Sequence, residues 1–393
     1  MRVAIFTETY FPFISGVVTH IKTLKDELEA KGHQVLIVTT DPNARFHYLK
    51  NDVLYCPAKS VKKIYGYGVT TPISLKRLEY IKDFNPDIIH IHTEFSMGIF
   101  GMWVAKMLKK PIVYTLHTMY EDYTFYVIPK KLDKFAKPAL HMYFKNVARK
   151  ATEIIGPSLK VVEFLKRCGV TRHINIIPNI TDLTLFLQEN IDTNKVDAIR
   201  AKYDIQEKDT TICFVGRLGK EKSVNELLQF FAMGFAGKRE YKMFIIGDGP
   251  EAEVLKELAK KLDIKNQIIF TGKVDHNDIA AYYYASDIYA TASLTEINSI
   301  SMLEAMASGL MVLQRFDLYN KDQIVQGENG YLFHNGAEFI ELVNQFHKMT
   351  TEERIVSRKT VYDFSRRYGP AEFIDKVLNV YEIAIHKYKS KNK

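Results

Sequence analysis

Residues 2–40 read RVAIFTETYFPFISGVVTHIKTLKDELEAKGHQVLIVTT, and this stretch decides the fold. It opens on an apolar run of strand length, RVAIFT, and closes on another, QVLIVTT. Neither run alternates polar with apolar residues, as strands buried on both faces of a parallel sheet do not. Between them Ile21, Leu24 and Leu28 recur at helical spacing, and Gly32 marks the helix stop. Strand, helix and strand together make a βαβ unit of the doubly wound kind. Asp41 ends the second strand, where a dinucleotide-binding domain places an acid, but the first loop has no GxGxxG. Nicotinamide chemistry therefore finds little support.

The alternation continues outward. DIIHIHT (87–93), PIVYTLHT (111–118) and EIIGPS (153–158) read as strands, with FGMWVAKMLKK and VVEFLKRCG as helices. INIIPNITD (174–182) reads as a last short strand, broken at Pro178 and Asn179. After a polar stretch the series restarts with TTICFVG (210–216), KMFIIGDGP (242–250), QIIFTG (267–272), DIYATAS (287–293) and LMVLQR (310–315). The expectation is an α/β chain of two doubly wound, Rossmann-like parallel-sheet domains facing across a cleft, 1–180 and 181–365. Ligands of such sheets sit outside the carboxyl ends of the strands.

With 393 residues and 47% hydrophobic content, the chain can fill two ordinary cores. No stretch approaches the roughly 20 uninterrupted apolar residues of a membrane span. MRVAIFTETYFP goes straight into a strand and lacks the basic–apolar–small order of a signal peptide. Cys56, Cys168 and Cys213 are scattered and form no CxxC, which fits a reducing cytoplasm and neither a disulfide framework nor a zinc site. A net charge of +8 suits nucleic acid, an anionic membrane surface or a phosphorylated substrate.

Residues 291–309, TASLTEINSISMLEAMASG, hold two carboxylates, Glu296 and Glu304, across a strand–loop–helix junction that Gly309 ends. A helix N-terminus there would seat a phosphate, and the carboxylates would accept hydrogen bonds from sugar hydroxyls. Arg217 and Lys222 follow a buried strand in CFVGRLGKEKS, a placement that suits a diphosphate gaining charge as it leaves. GDGP (247–250) reads as a glycine-permitted turn. His117 ends a strand and can donate to a sugar hydroxyl or share a proton. His90 and His92 share a strand face but make a weak metal pair, with no third ligand nearby, and no DxD triplet occurs. Nothing here demands a metal.

The run 123–150, from Tyr123 to Lys150, mixes Phe125, Tyr126, Phe135, Tyr143 and Phe144 with seven cations, opposed only by Asp133. With SVKKIYGYG (60–68), it reads as an interfacial segment for anionic lipid or, equally, as an ordinary helix with a solvated face. No nucleic-acid motif accompanies the basic residues.

Taken together, Ser15-Gly16-Val17, His117, GRLGKEKS and Glu296-x7-Glu304 occur in the order seen in the family 4 glycosyltransferases of the GT-B class. The chain resembles that family over nearly its whole length. HTEFSMGIFG, HTMYEDYTFYV and EINSISMLEAMASG look like the bacterial diacylglycerol glycosyltransferases that build membrane glycolipids. The resemblance implies a UDP-sugar donor, a retained anomeric configuration, and neither cofactor nor metal. Arg217 and Lys222 would hold the diphosphate, Glu296 the donor sugar and Glu304 the ribose, with His117 beside the reacting sugar. Gly16, Val17, Asn298, Ser299 and Ile300 would complete the donor site. The helix within 366–393 would return to the first domain.

Relatives often carry Phe-Gly where Asn298 and Ser299 stand, Gly where Ser223 stands and Pro where Met311 stands, which leaves glucose and galactose both open. The expected acceptor is diacylglycerol or monoglucosyldiacylglycerol at the cytoplasmic face of the membrane. A family 4 enzyme with a soluble acceptor and a non-catalytic sugar-nucleotide binder are the alternatives.

Overall fold

The computed structural model describes residues 1–13, 15–61, 67–118, 133–319, 321–366 and 370–391. The chain divides into two compact units, Met1–Ile180 with Pro370–Lys393, and Thr181–Gly369.

The first unit is built on eight strands: β1 (Arg2–Phe6), β2 (Gln34–Asp41), β3 (Tyr48–Lys50), β4 (Val53–Pro57), β7 (Ile88–Ile91), β8 (Ile112–Thr115), β9 (Glu153–Gly156) and β10 (Asn175–Ile176). A separate hairpin pairs β5 (Lys59–Val61) with β6 (Tyr67–Val69). The sheet order is β10-β9-β8-β7-β1-β2-β4-β3. Its strands run parallel except β3, which pairs antiparallel to β4. That edge hairpin departs from the all-parallel expectation, and its two-residue turn explains it. Asn51 and Asp52 both adopt left-handed backbone, with φ 51 and 57, the geometry that matches the twist of two antiparallel strands.

Helices α1 (Gly16–Ala30), α2 (Leu75–Phe84), α3 (Ser96–Leu108), α4 (Asp133–Lys150) and α5 (Leu159–Arg167) complete the unit, together with the last helix, α13 (Pro370–Lys391). The stripe Ile374, Val377, Val380, Tyr381 and Ala384 of α13 is buried in one core with Val3, Ile5, Ile21 and Leu24. Each large apolar side chain buried there contributes roughly 1.5–3 kcal/mol. Lys387 adds an ion pair to the buried Glu153 at 2.6 Å.

The second unit holds α6 (Thr193–Lys202), β11 (Thr210–Val215), α7 (Val224–Phe235), β12 (Tyr241–Ile246), α8 (Ala252–Lys261), β13 (Ile268–Gly272), α9 (His276–Tyr284), β14 (Ile288–Thr291), α10 (Ile300–Ala307), β15 (Met311–Arg315), β16 (Gly330–Phe333), α11 (Gly336–His347) and α12 (Thr351–Ser365). The strands run parallel in the order β13-β12-β11-β14-β15-β16. Sequence order therefore reverses between β11 and β14, the topological switch point where such sheets bind ligands. In the first unit the corresponding reversal lies between β1 and β7.

Candidate active site

The second unit places its charged residues at that switch point. Arg217 and Lys222 lie on the loop after β11, and Glu296 lies on the loop after β14. Ser293 and Thr295 hydroxyls donate to the Glu221 carbonyl at 3.2 and 3.1 Å, so the two loops are stitched together. Lys222 Nζ then meets Glu296 Oε1 at 2.6 Å. Burial disfavours the ammonium charge, but the Glu296 carboxylate outweighs it and holds Lys222 above the ordinary lysine range. Arg217 Nη2 pairs with the buried Glu221 at 2.5 Å.

GDGP locks against the Arg217 loop. Leu218 N–H donates to the Asp248 carbonyl and Glu251 N–H to the Leu218 carbonyl, both at 3.0 Å. A Cβ on Gly247, whose φ is 131, would sit 2.0 Å from the Gly216 carbonyl oxygen, so only glycine fits.

Ser299 caps α10 with extended backbone, but its side chain makes no capping hydrogen bond. Its hydroxyl lies instead 3.1 Å from Ser301 Oγ, which Tyr289 Oη reaches at 2.9 Å. The first-turn N–H groups of α10, beginning at Ile300, thus lack a side-chain cap, and the helix dipole favours an anion there. Asn298 and Ile300 are half-buried beside this turn.

Glu304 lies on the second turn of α10 and is buried. Tyr283 Oη donates to its Oε2 at 3.1 Å, while Oε1 has no hydrogen-bond partner among the described residues. Burial pushes its carboxyl up to about 8, only partly offset by the Tyr283 hydroxyl.

In the first unit, Gly16 and Val17 open α1 in helical backbone, and Ser15 caps that helix by accepting from Val18 N–H at 3.3 Å. Half-buried His117 follows β8. Its Nε2 lies 2.8 Å from His92 Nδ1, and the rings stack at an interplanar angle of 15°. His20 of α1 meets the His117 ring edge-on at 4.8 Å. Burial pushes His117 down to about 4, against the pull of the Asn179 side chain, and drives His20 and His92 well below the ordinary range. All three are neutral imidazoles near pH 7.

The structure corrects the reading of His92 as lacking further ligands: His20, His92 and His117 each bring a ring nitrogen within 4.8 Å of the others. Their hydrogen bonds are nonetheless those of a proton-sharing network. His20 Nδ1 accepts from Ile180 N–H at 3.1 Å, so its proton sits on Nε2 and no lone pair is left for a metal there. His90, paired with His92 in sequence, is committed to Tyr381 Oη at 2.7 Å and Thr115 Oγ1 at 2.8 Å.

Sequence reasoning missed Glu221, Ser293, Thr295, Tyr283 and His20. Glu221 alone carried a local signal, standing between two lysines in GKEKS.

The basic run requires a correction. Phe144 is fully buried and packs on Phe164, and the Tyr143 hydroxyl donates to the Glu94 carbonyl. Phe144 belongs to the core, because an 18-residue helix must bury one face, and Tyr143 is half-buried beside it. Lys137, Met142, Lys145, Arg149 and Lys150 are exposed. Tyr123, Phe125 and Tyr126 lie outside the described residues, as do 62–66 of SVKKIYGYG and the side chain of Phe135. Among the described residues, no helix is long and apolar enough to cross a membrane.

Two doubly wound units with cations and carboxylates at a switch point define a glycosyltransferase of the GT-B class. The chain matches "Glycosyltransferase Family 4" over residues 14–185 and "Glycosyl transferases group 1" over residues 195–360. It belongs to the family 4 glycosyltransferases and is a hexosyltransferase. It is 33% identical to alpha-monoglucosyldiacylglycerol synthase of Streptococcus pneumoniae, over 85% of this chain and 75% of that protein. It is 32% identical to the synthase of the same name from Acholeplasma laidlawii, over 87% of each chain. Among solved structures, Anabaena HepE in complex with UDP and glucose shares the fold, with a TM-score of 0.74 at 16% identity, over 96% of this chain and 98% of that one.

Proposed function

We propose that the enzyme moves a glucosyl or galactosyl group from a UDP-sugar to diacylglycerol or monoglucosyldiacylglycerol, with retention and without a metal ion. Similarity over most of the chain to two monoglucosyldiacylglycerol synthases carries the acceptor class. The donor class draws support from a fold neighbour crystallised with UDP and glucose.

In this reading the diphosphate lies at the uncapped start of α10, and Arg217 and Lys222 turn to it. Lys222 releases Glu296 to the hydroxyls of the donor sugar, and Glu304 takes the ribose hydroxyls through Oε1. Asn298, Ser299 and Ile300 line the diphosphate seat, and Gly16 and Val17 also bind the donor in this reading. His117 donates a hydrogen bond to the transferred sugar. The bond from the anomeric carbon to the diphosphate oxygen breaks as the acceptor oxygen bonds to that carbon on the same face. The acceptor proton passes to the departing diphosphate, so no protein nucleophile is required. Stabilising the leaving charge with two cations supplies what a metal ion would otherwise provide. The exposed cations of α4 would hold the enzyme on anionic lipid at the cytoplasmic face of the membrane.

The test is a donor-by-acceptor assay with chelator present. UDP-glucose or UDP-galactose is offered with diacylglycerol or monoglucosyldiacylglycerol in anionic micelles. Formation of an α-linked glycolipid is expected. UDP release only with soluble acceptors would overturn the lipid reading and leave the glycosyltransferase standing.

A further inference from the structure

We propose that His92 is a positioning residue that fixes the tautomer of His117, donating from Nδ1 to His117 Nε2 so that His117 presents Nδ1–H. Its catalytic meaning rests on the reading of His117 as the donor to the transferred sugar.

The argument begins with the 2.8 Å contact between His92 Nδ1 and His117 Nε2. Two neutral rings at that distance share one proton, which belongs to one of them. The other nitrogen of His92 decides which. His92 is 1% exposed, and its Nε2 has no hydrogen-bond partner among the described residues. If His117 were the donor, the proton of His92 would sit on Nε2 as a buried N–H without an acceptor. Orphaned buried donors are the rarer defect in proteins, and a bare acceptor nitrogen is the better tolerated one. The proton of His92 therefore lies on Nδ1 and points to His117. With Nε2 accepting, the proton of neutral His117 lies on Nδ1. His20 meets His117 as an edge-on ring contact with centroids 4.8 Å apart, whereas the hydrogen bond at His117 Nε2 is with His92.

The backbone enforces the geometry. His92 N–H donates to the Phe6 carbonyl at 2.9 Å, continuing the β1–β7 ladder past its last paired residues. His117 sits just beyond β8, the strand beside β7. Two adjacent parallel strands thus deliver both rings to the carboxyl end of the sheet, where stacking leaves His92 little freedom to turn.

The experiment is long-range 1H–15N correlation on 15N-histidine-labelled full-length protein at pH 7.5, with His117 assigned from the His117→Gln spectrum. Wild type is expected to show His117 as the Nδ1–H tautomer. His92→Leu should return it to Nε2–H and lower kcat about 10-fold or more, with the donor KM within about twofold. His92→Asn, whose amide N–H stands close to the lost Nδ1–H, should restore the tautomer and most of the turnover. An Nε2–H signal for His117 in wild type overturns the proposal. So does a folded His92→Leu protein with unchanged tautomer and kcat. If His92→Leu does not fold, the wild-type spectrum alone decides. Full turnover in His117→Gln would instead remove the proposed role of His117 in transfer, a result the tautomer measurement does not depend on.

Discussion

Lys222 and Glu296 stand 74 residues apart in the chain and meet at 2.6 Å across the switch point of the second unit. Each is the counter-charge of the other, and in the proposed reading donor binding separates them. If both groups act on the transferring sugar diphosphate as proposed, single Lys222→Met and Glu296→Gln changes should each lower kcat/KM about 100-fold or more. The double variant should lose little beyond the worse single one, because groups acting as a unit are not additive. Steady-state glycolipid formation measures this. Additive losses would mean that the two side chains act separately.

Ser223 holds φ 50 and ψ 33, a left-handed conformation that an L side chain adopts at a cost of roughly 1–2 kcal/mol. Ser223→Gly should therefore stabilise the protein by up to about 1 kcal/mol and raise Tm by about 2–4 °C. Ser223→Val should lower it. Thermal melts of the three proteins at one pH decide the point, and an unchanged or lower Tm for the glycine variant would refute it.

Glu304 makes stability depend on pH in a definite sense. Its folded pKa, about 8, lies above its ordinary value of 4.5, so the folded chain binds more protons between those limits. The contribution is complete below about pH 4.5 and is lost as pH rises through 8. Wild-type Tm should therefore fall relative to Glu304→Gln between pH 5 and pH 8.5. Parallel pH curves would show that Glu304 keeps an ordinary pKa.

Gly247→Ala forces a methyl carbon toward the Gly216 carbonyl oxygen, which lies 2.0 Å from the position it would occupy. The Arg217 loop has to move away from GDGP. Stability should drop by about 2 kcal/mol or more, and UDP affinity should weaken about 10-fold or more, because Arg217 loses its seat. Denaturant melts and UDP calorimetry test this. Retained affinity would mean that the loop position is not used for binding.

Lys145, Arg149 and Lys150 are exposed on α4. Each juxtamembrane cation contributes about 1 kcal/mol on anionic lipid, so the triple glutamine variant should bind anionic vesicles roughly 100-fold more weakly. Binding to neutral vesicles should not change. Co-sedimentation in low and in physiological salt measures both, and an unchanged affinity would place membrane contact elsewhere.

Strand positions were legible because parallel strands buried on both faces leave unbroken apolar runs. RVAIFT, QVLIVTT, TTICFVG and DIYATAS correspond to β1, β2, β11 and β14. The β3–β4 hairpin was not legible. Its edge strand is exposed along its whole length, and its turn is Asn51-Asp52, without the glycine that marks most such turns. β16, only four residues of GYLF, was too short to carry a period. The run 123–150 misled in part, since a helix with exposed lysines and a buried Phe144 has the same composition as one lying on lipid.

The sequence by itself determined the two βαβ series, the helix stop at Gly309 and the placing of Arg217, Lys222, Glu296 and His117 at strand ends. These follow from periodicity and backbone preference within a few residues of each position. Tertiary structure alone decided the partners. It joined Lys222 to Glu296, Glu304 to Tyr283, and His117 to His92 and His20, and it turned Phe144 into the core. Charge state and proton position depend on burial and on contacts at about 3 Å, and such contacts form between segments whose separation in sequence carries no local signal.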